Sequence, residues 1–184
     1  MQVLKFGGSS VANAENINKV IQIIKKASEK TETIVVVSAM GGITDSLLEV
    51  ASLANNGNER YKSLIKDIEH RHINAVKQLI PVAIQSSVLS KVVSLCNEVE
   101  DICQGIFLLK ELSGATKDKI AGYGEKLSST LLSIALEAAG VGNTWKDTAE
   151  LIKTDENYGN AMVLKEETFS NINAYFQATK SSLY

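Results

Sequence analysis

Residues 33–54 read "TIVVVSAMGGITDSLLEVASLA". Five β-branched residues in a row, Thr33 to Val37, are apolar on both faces, as a strand buried inside a parallel sheet must be. Gly41 and Gly42 break that run, and "ITDSLLEVASLA" then repeats apolar residues at helical spacing. The same order occurs upstream. "MQVLKF" (1–6) is a short apolar strand and "GGSS" (7–10) is a glycine loop. Ile17, Val20, Ile21 and Ile24 then line one face of a helix that ends in Lys25 and Lys26. Strand, glycine loop and helix, repeated, predict an α/β fold with a parallel sheet.

The 184 residues are 45% hydrophobic and 22% charged, with a formal net charge of -2. This is the composition of a globular domain with a real core. No basic run marks a nucleic-acid partner or an anionic membrane surface. No apolar run is long enough to span a bilayer, and the first residues lack the pattern of a secretory signal. Cys96 and Cys103 stand seven apart in a helical pattern and so share one face. They read as buried, reduced thiols, and a cytoplasmic setting follows as an expectation. Two cysteines without a histidine at zinc-finger spacing make no metal cage, so no protein-built metal site is expected.

The middle of the chain reads differently. Tyr61, Leu64, Ile65, Ile68, Val76 and Leu79 recur at helical spacing up to Pro81. Leu89, Val92, Cys96, Val99, Cys103 and Ile106 continue the pattern beyond it. These two runs predict a long helical hairpin. In "GATKDKIAGYGEKLSSTLLSIALEAAG" (114–140), Gly122 and Gly124 are read as preceding a helix. Its apolar face is Leu127, Leu131, Leu132 and Ala135, and Gly140 or Gly142 ends it. "NTWKDTAELIKT" (143–154) is read as an edge strand followed by a short helix or turn. A closing amphipathic helix is expected to pack through Phe169, Ile172 and Phe176.

Parallel strands open both glycine loops at one end of the sheet, where such folds bind ligands. Glycines admit a ligand close to the backbone, and a helix's first-turn N–H groups favour an anion. Lys5 adds a positive charge, and Ser9, Ser10, Ser38 and Thr44 add hydroxyls. Either loop alone is accounted for as a turn with a helix cap; the pair points to a site. Neither GxxxxGK[ST] nor GxGxxG is present. Glu125 reads either as a helix-start acid facing the dipole or as a partner for a substrate ammonium. His70 and His72 point in different directions on a helix, so a solvated face is expected for "EHRHIN" (69–74). Trp145 reads as core or edge packing, and no cysteine or histidine pairs with a base as a nucleophile would.

Four segments carry a resemblance. "VLKFGGSSVANAENI" resembles the opening of aspartate kinases, members of the amino-acid kinase fold family. "VVVSAMGGITDSLL" is similar to that family's second glycine loop, and "GYGEKLSSTLLSIAL" to its Gly-Glu motif. "IKTDENYGNA" is similar to its Thr-Asp and Gly-Asn-Ala segment. The start looks most like the kinase part of bifunctional aspartokinase–homoserine dehydrogenases.

The resemblance implies a three-layer αβα amino-acid kinase fold with a mostly parallel sheet, the helical hairpin being an insertion. It implies transfer of a phosphoryl group from ATP to the side-chain carboxylate of L-aspartate. The product, 4-phospho-L-aspartate, opens the route to lysine, threonine and methionine. Lys5 matches the lysine that neutralises the transferred group. Gly7, Gly8 and Ser9 match the loop on the ATP phosphates. Ser38 and Thr44 match the aspartate loop, and Glu125 the carboxylate on the substrate ammonium. Mg²⁺ is implied with ATP, NADP only with a fused dehydrogenase, and a homo-oligomer for the whole protein. Nothing in residues 1–184 matches the family's nucleotide-binding half or its regulatory domains. The chain is therefore expected to be an N-terminal portion, inactive alone, with an exposed apolar sheet edge that favours self-association or aggregation. The competing readings are a glutamate or acetylglutamate kinase, or a non-catalytic amino-acid-binding or assembly module.

Overall fold

The computed structural model describes residues 1–179 and 181–184. Strands β1 (Gln2–Phe6) and β2 (Thr33–Val37) pair in parallel, from Gln2 opposite Thr33 to Phe6 opposite Val37. The last residues bond along the other edge of β2. Thr33 N–H donates to the Ser182 carbonyl at 3.0 Å, and Val35 N–H to the Tyr184 carbonyl at 2.7 Å. Thus β2 is flanked on both sides, which suits its unbroken β-branched run.

Helices α1 (Ala14–Ser28) and α2 (Ile43–Asn55) follow the two strands. The Asn13 side chain accepts from Asn16 N–H at 2.9 Å and so caps α1. Lys19 pairs with Glu15 one turn away, and Lys25 and Lys26 lie in the last turn, where the helix dipole favours cations. The expected hairpin is present as α3 (Arg60–Leu79) and α4 (Val82–Leu109). Pro81 divides them because it cannot continue a helix and holds Ile80 extended. Helices α5 (Gly114–Ala138) and α6 (Lys165–Ala178) complete the described elements, with one 3-10 turn at Thr148–Glu150.

A single core joins α1 through α5, with Phe6, Val35 and Val37 packed against it. Ile24, Ile43, Leu47, Tyr61, Ile65, Ile120 and Leu127 are among its fully buried side chains. Cys96 and Cys103 are both buried and free, and burial pushes each thiol up to about 12. On the alternate positions of the strands, Val3 and Val36 are exposed, so an apolar surface of the sheet is bare. Next to it, β2, α5 and α6 border a cleft of about 910 Å³ lined by Ile34, Leu132, Leu136, Ile172 and Phe176.

Four expectations are corrected. First, α5 begins at Gly114, so Gly122 and Gly124 lie inside the helix and Glu125 is not at a helix start. Gly124 is a packing gap: an added Cβ would stand 2.7 Å from Ala39 Cβ and 3.4 Å from Leu47 Cδ1. Second, His72 is fully buried rather than solvated, while His70 is exposed. His72 Nδ1 lies 2.8 Å from the Ile68 carbonyl, which can only accept, so this nitrogen carries the proton. Nε2 is buried with no partner among the described residues, and desolvation, followed by the Arg71 charge, lowers the His72 pKa despite that bond. Third, residues 143–147 form no strand. Asn143 instead bonds the Ser133 hydroxyl and carbonyl, which ties the segment to α5. Fourth, Phe169 is exposed, and the buried residue of α6 is Thr168, whose hydroxyl bonds both Lys153 N–H and the Lys153 carbonyl. Trp145 is an edge residue, half-exposed, with Nε1 donating to Ser129 Oγ at 2.9 Å.

Gly124→Ala is expected to destabilise the fold by about 1–3 kcal/mol through overpacking, although alanine is the better helix former. Gly122→Ala, where no described atom beyond its own stretch of helix backbone and its chain neighbours lies within 4 Å, is expected to stabilise it by about 0.5–1 kcal/mol. Denaturant unfolding of both variants checks the pair. The lowered His72 pKa has a further consequence. Above pH 6.5, its ordinary value, folded and unfolded states are both neutral and stability is full. Below it, the unfolded chain takes up a proton that the native core refuses, so the melting temperature falls. His72→Gln should flatten this dependence between pH 7.5 and pH 5.5, read by thermal melts at about half-unit steps.

Candidate active site

The two glycine loops touch. An added Cβ on Gly8 would stand 2.9 Å from the Ala39 carbonyl oxygen and 3.5 Å from Gly41 Cα. Only glycine permits this approach. The first loop is closed by Ser10 N–H donating to the Gly7 carbonyl at 2.9 Å, and Asn16 Nδ2 donates to the Ser9 carbonyl at 2.8 Å. The second leaves the sheet through Ser38 N–H, which donates to the Phe6 carbonyl at 3.0 Å. It then turns at Gly42, whose φ of 80° is a left-handed conformation. Gly42 caps α2 with no side chain, so no side chain blocks the N–H groups at that helix start.

Helix α5 closes the second loop from the other side. Glu125 Oε1 accepts from Ala39 N–H at 3.3 Å. Ser128 Oγ donates to the Ser38 carbonyl at 2.7 Å. Among the described residues no other partner engages the Glu125 carboxylate, and it lines the cleft beside β2. Lys5 is exposed on β1, with Nζ 3.8 Å from the Cβ position of Gly7, so its ammonium stands over its own loop. It forms no ion pair among the described residues. Ser38 and Thr44 are half-buried on the second loop and the first turn of α2, and Ser9 is exposed on the first loop.

The structure therefore brings Lys5, Gly7, Gly8, Ser9, Ser38, Thr44 and Glu125 to one end of the sheet. A cation, two backbone loops, hydroxyl groups and one carboxylate can together hold an anion beside an ammonium. The fourth segment docks on the start of α5. Gly159 N–H donates to Asp118 Oδ2 at 2.7 Å, and Tyr158 packs where Gly114 has no side chain. Asp155 holds this turn through Asn157 and Met162 N–H, and Asp118 lines the same cleft as Glu125. Among the described residues no three acidic, histidine or cysteine side chains gather as a metal cage.

Two contacts escaped the sequence reading. Arg71 Nη2 donates to the Gly41 carbonyl at 2.9 Å, across 30 positions of chain. It stands in "EHRHIN", where the histidines draw attention. Ser128 lies in a motif that was recognised, but its neighbour Glu125 carried the chemistry.

Comparison with known proteins agrees with this fold. The family model described as "Amino acid kinase family" matches residues 1–180. Aspartokinase 1, chloroplastic, of Arabidopsis thaliana is 35% identical over 162 residues, covering 84% of this chain and 27% of that protein. The bifunctional aspartokinase/homoserine dehydrogenase of Buchnera aphidicola is 31% identical over 180 residues, covering 94% of this chain and 21% of that protein. The chain thus spans about a quarter of the length of these relatives. Among solved structures, E. coli aspartokinase III in complex with aspartate and ADP superposes with a TM-score of 0.83. That match covers 95% of this chain and 37% of the other at 22% identity, and so shows a shared fold. The paired glycine loops, the parallel strands that carry them and the family match together place this chain in the amino acid kinase family.

Proposed function

We propose that the protein carrying this chain is an aspartate kinase, which transfers the terminal phosphoryl group of ATP to the side-chain carboxylate of L-aspartate. The observation that carries the reading is the meeting of Gly8, Ala39, Gly41 and Glu125 at one sheet end, beside Lys5. The names of the aspartokinase relatives support the choice of substrate.

The nucleophile is a carboxylate and already an anion, so the reaction needs no general base from the protein. Positioning and charge stabilisation carry an in-line phosphoryl transfer. In this reading Lys5 and the N–H groups of residues 7–9 face the phosphates. They hold charge as it moves from the leaving diphosphate to the new acyl phosphate. Ser38, Thr44 and the start of α2 orient the amino acid. The free side of Glu125 pairs with its ammonium, while Ala39 N–H fixes the carboxylate from behind. The 184 residues supply the amino-acid half of the site, and by themselves they turn over no ATP.

Lys5→Ala in the full-length protein should lower kcat/KM by about 10²–10³, the cost of one lost oxyanion donor. Lys5 is exposed, so the melting temperature should not move. Near-normal aspartate-dependent ADP release would remove the role given to Lys5. Glu125→Gln keeps an acceptor for Ala39 N–H but loses the charge. It should raise KM for aspartate by about 10–100-fold, as expected for losing a charged hydrogen bond, with KM for ATP unchanged. Equal rises in both constants would argue against an ammonium contact.

A further inference from the structure

The second glycine loop has a support that lies outside every motif of the site. Arg71 is on α3, and its rotation is set by the buried face Ile65, Ile68, His72, Ala75 and Val76. That burial turns Arg71 outward, exposed, at the rim of the second loop. Its Nη2 donates to the Gly41 carbonyl at 2.9 Å. Its Nη1 stands 3.9 Å from the Cβ position of Gly42. The guanidinium therefore lies over both glycines of the turn. Among the described residues it forms no ion pair, so its charge is not consumed by an acidic neighbour.

This turn needs an external hold. Gly41 and Gly42 have no side chains, Gly42 is left-handed, and the start of α2 has no side-chain cap. Two glycines in sequence lose more backbone freedom on ordering than any other pair. Gly41 also lies against Gly8, so a shift of its peptide would disturb both loops. Glu125 and Ser128 pin Ala39 and Ser38 on one side of the turn. Ser46, within α2 itself, donates its Oγ to the Gly42 carbonyl at 3.0 Å; among the described residues Arg71 is the side chain that hydrogen-bonds this turn from another helix.

We propose that Arg71 is a positioning residue: it clamps the Gly41–Gly42 turn so that the loop and the start of α2 are preformed for the amino-acid substrate. The inference rests on the reading of this loop as the aspartate-binding one. A guanidinium suits the task because it is permanently charged and its donors are held in a rigid fork. Preforming the loop removes an ordering cost from substrate binding, so its loss should appear in KM for the amino acid more than in kcat.

The test is Arg71→Met in the full-length protein, which keeps the aliphatic stem and removes the donors. Two readouts are taken. In steady-state kinetics, KM for aspartate should rise about tenfold, with kcat and KM for ATP within about twofold. In amide hydrogen exchange, residues 39–44 should exchange about tenfold faster, with the core of α3 and α4 unchanged. Arg71→Lys should fall between the two. Unchanged exchange at 39–44 overturns the clamp, and so does equal acceleration throughout the fold, which would mark general destabilisation. If the parent protein does not phosphorylate aspartate, the functional reading fails, while the exchange experiment still decides whether Arg71 holds the turn.

Discussion

The fold depends on a close approach of backbone to backbone around Ala39. Gly8 comes within contact of the Ala39 carbonyl and Gly41, and Gly124 of α5 presses against Ala39 Cβ. Ala39 itself is buried. Three segments separated in sequence meet where none of them has room for a larger side chain. Such packing is intolerant because the interior is close-packed and a single methyl must displace backbone. The same approach shapes the candidate site. Where side chains are excluded, N–H groups and carbonyls are left to face a ligand.

Parallel pairing of β1 and β2 puts the two loops at the same end, and the in-step register keeps them level. Helix α5 then supplies two different services from one turn. Gly124 lets the helix approach the loop, while Glu125 and Ser128 bond its backbone. Glu125 and Ser128, three residues apart, share one helix face and so reach the same loop. The helical hairpin of α3 and α4 is a scaffold for α2 and α5, and it also delivers Arg71 to the second loop. Stability and site geometry are therefore not separable here, because the residues that close the core also aim the loops.

Much of this was legible in the residue order. The β-branched run of Thr33–Val37 marked a flanked strand, and the structure flanks it. The spacing of Cys96 and Cys103 marked one buried face, and both thiols are buried. The hairpin was legible from its two apolar stripes and the proline between them. The misreadings have specific causes. Glycines are strong breakers, so Gly122 and Gly124 looked like a boundary, yet a glycine is tolerated inside a helix when a neighbour needs its space. His72 looked polar, but its Nδ1 proton is satisfied inside its own helix, and the ring is buried in the core. Phe169 had the right period for burial, but among the described residues no element covers it.

By itself, the sequence determined the α/β class, the first two strands with the helices that follow them, the helical hairpin and the two loops. Those features rest on local rules, namely apolar period, β-branching and glycine placement, which act over a few residues. Only the tertiary structure decided which groups touch: Gly8 with Ala39, Glu125 with Ala39 N–H, Arg71 with Gly41. These contacts join positions 30 or more apart, and no local rule specifies them. They follow from how the helices pack, since a helix's rotation is set by the whole of its buried face and not by the residue that reaches the site.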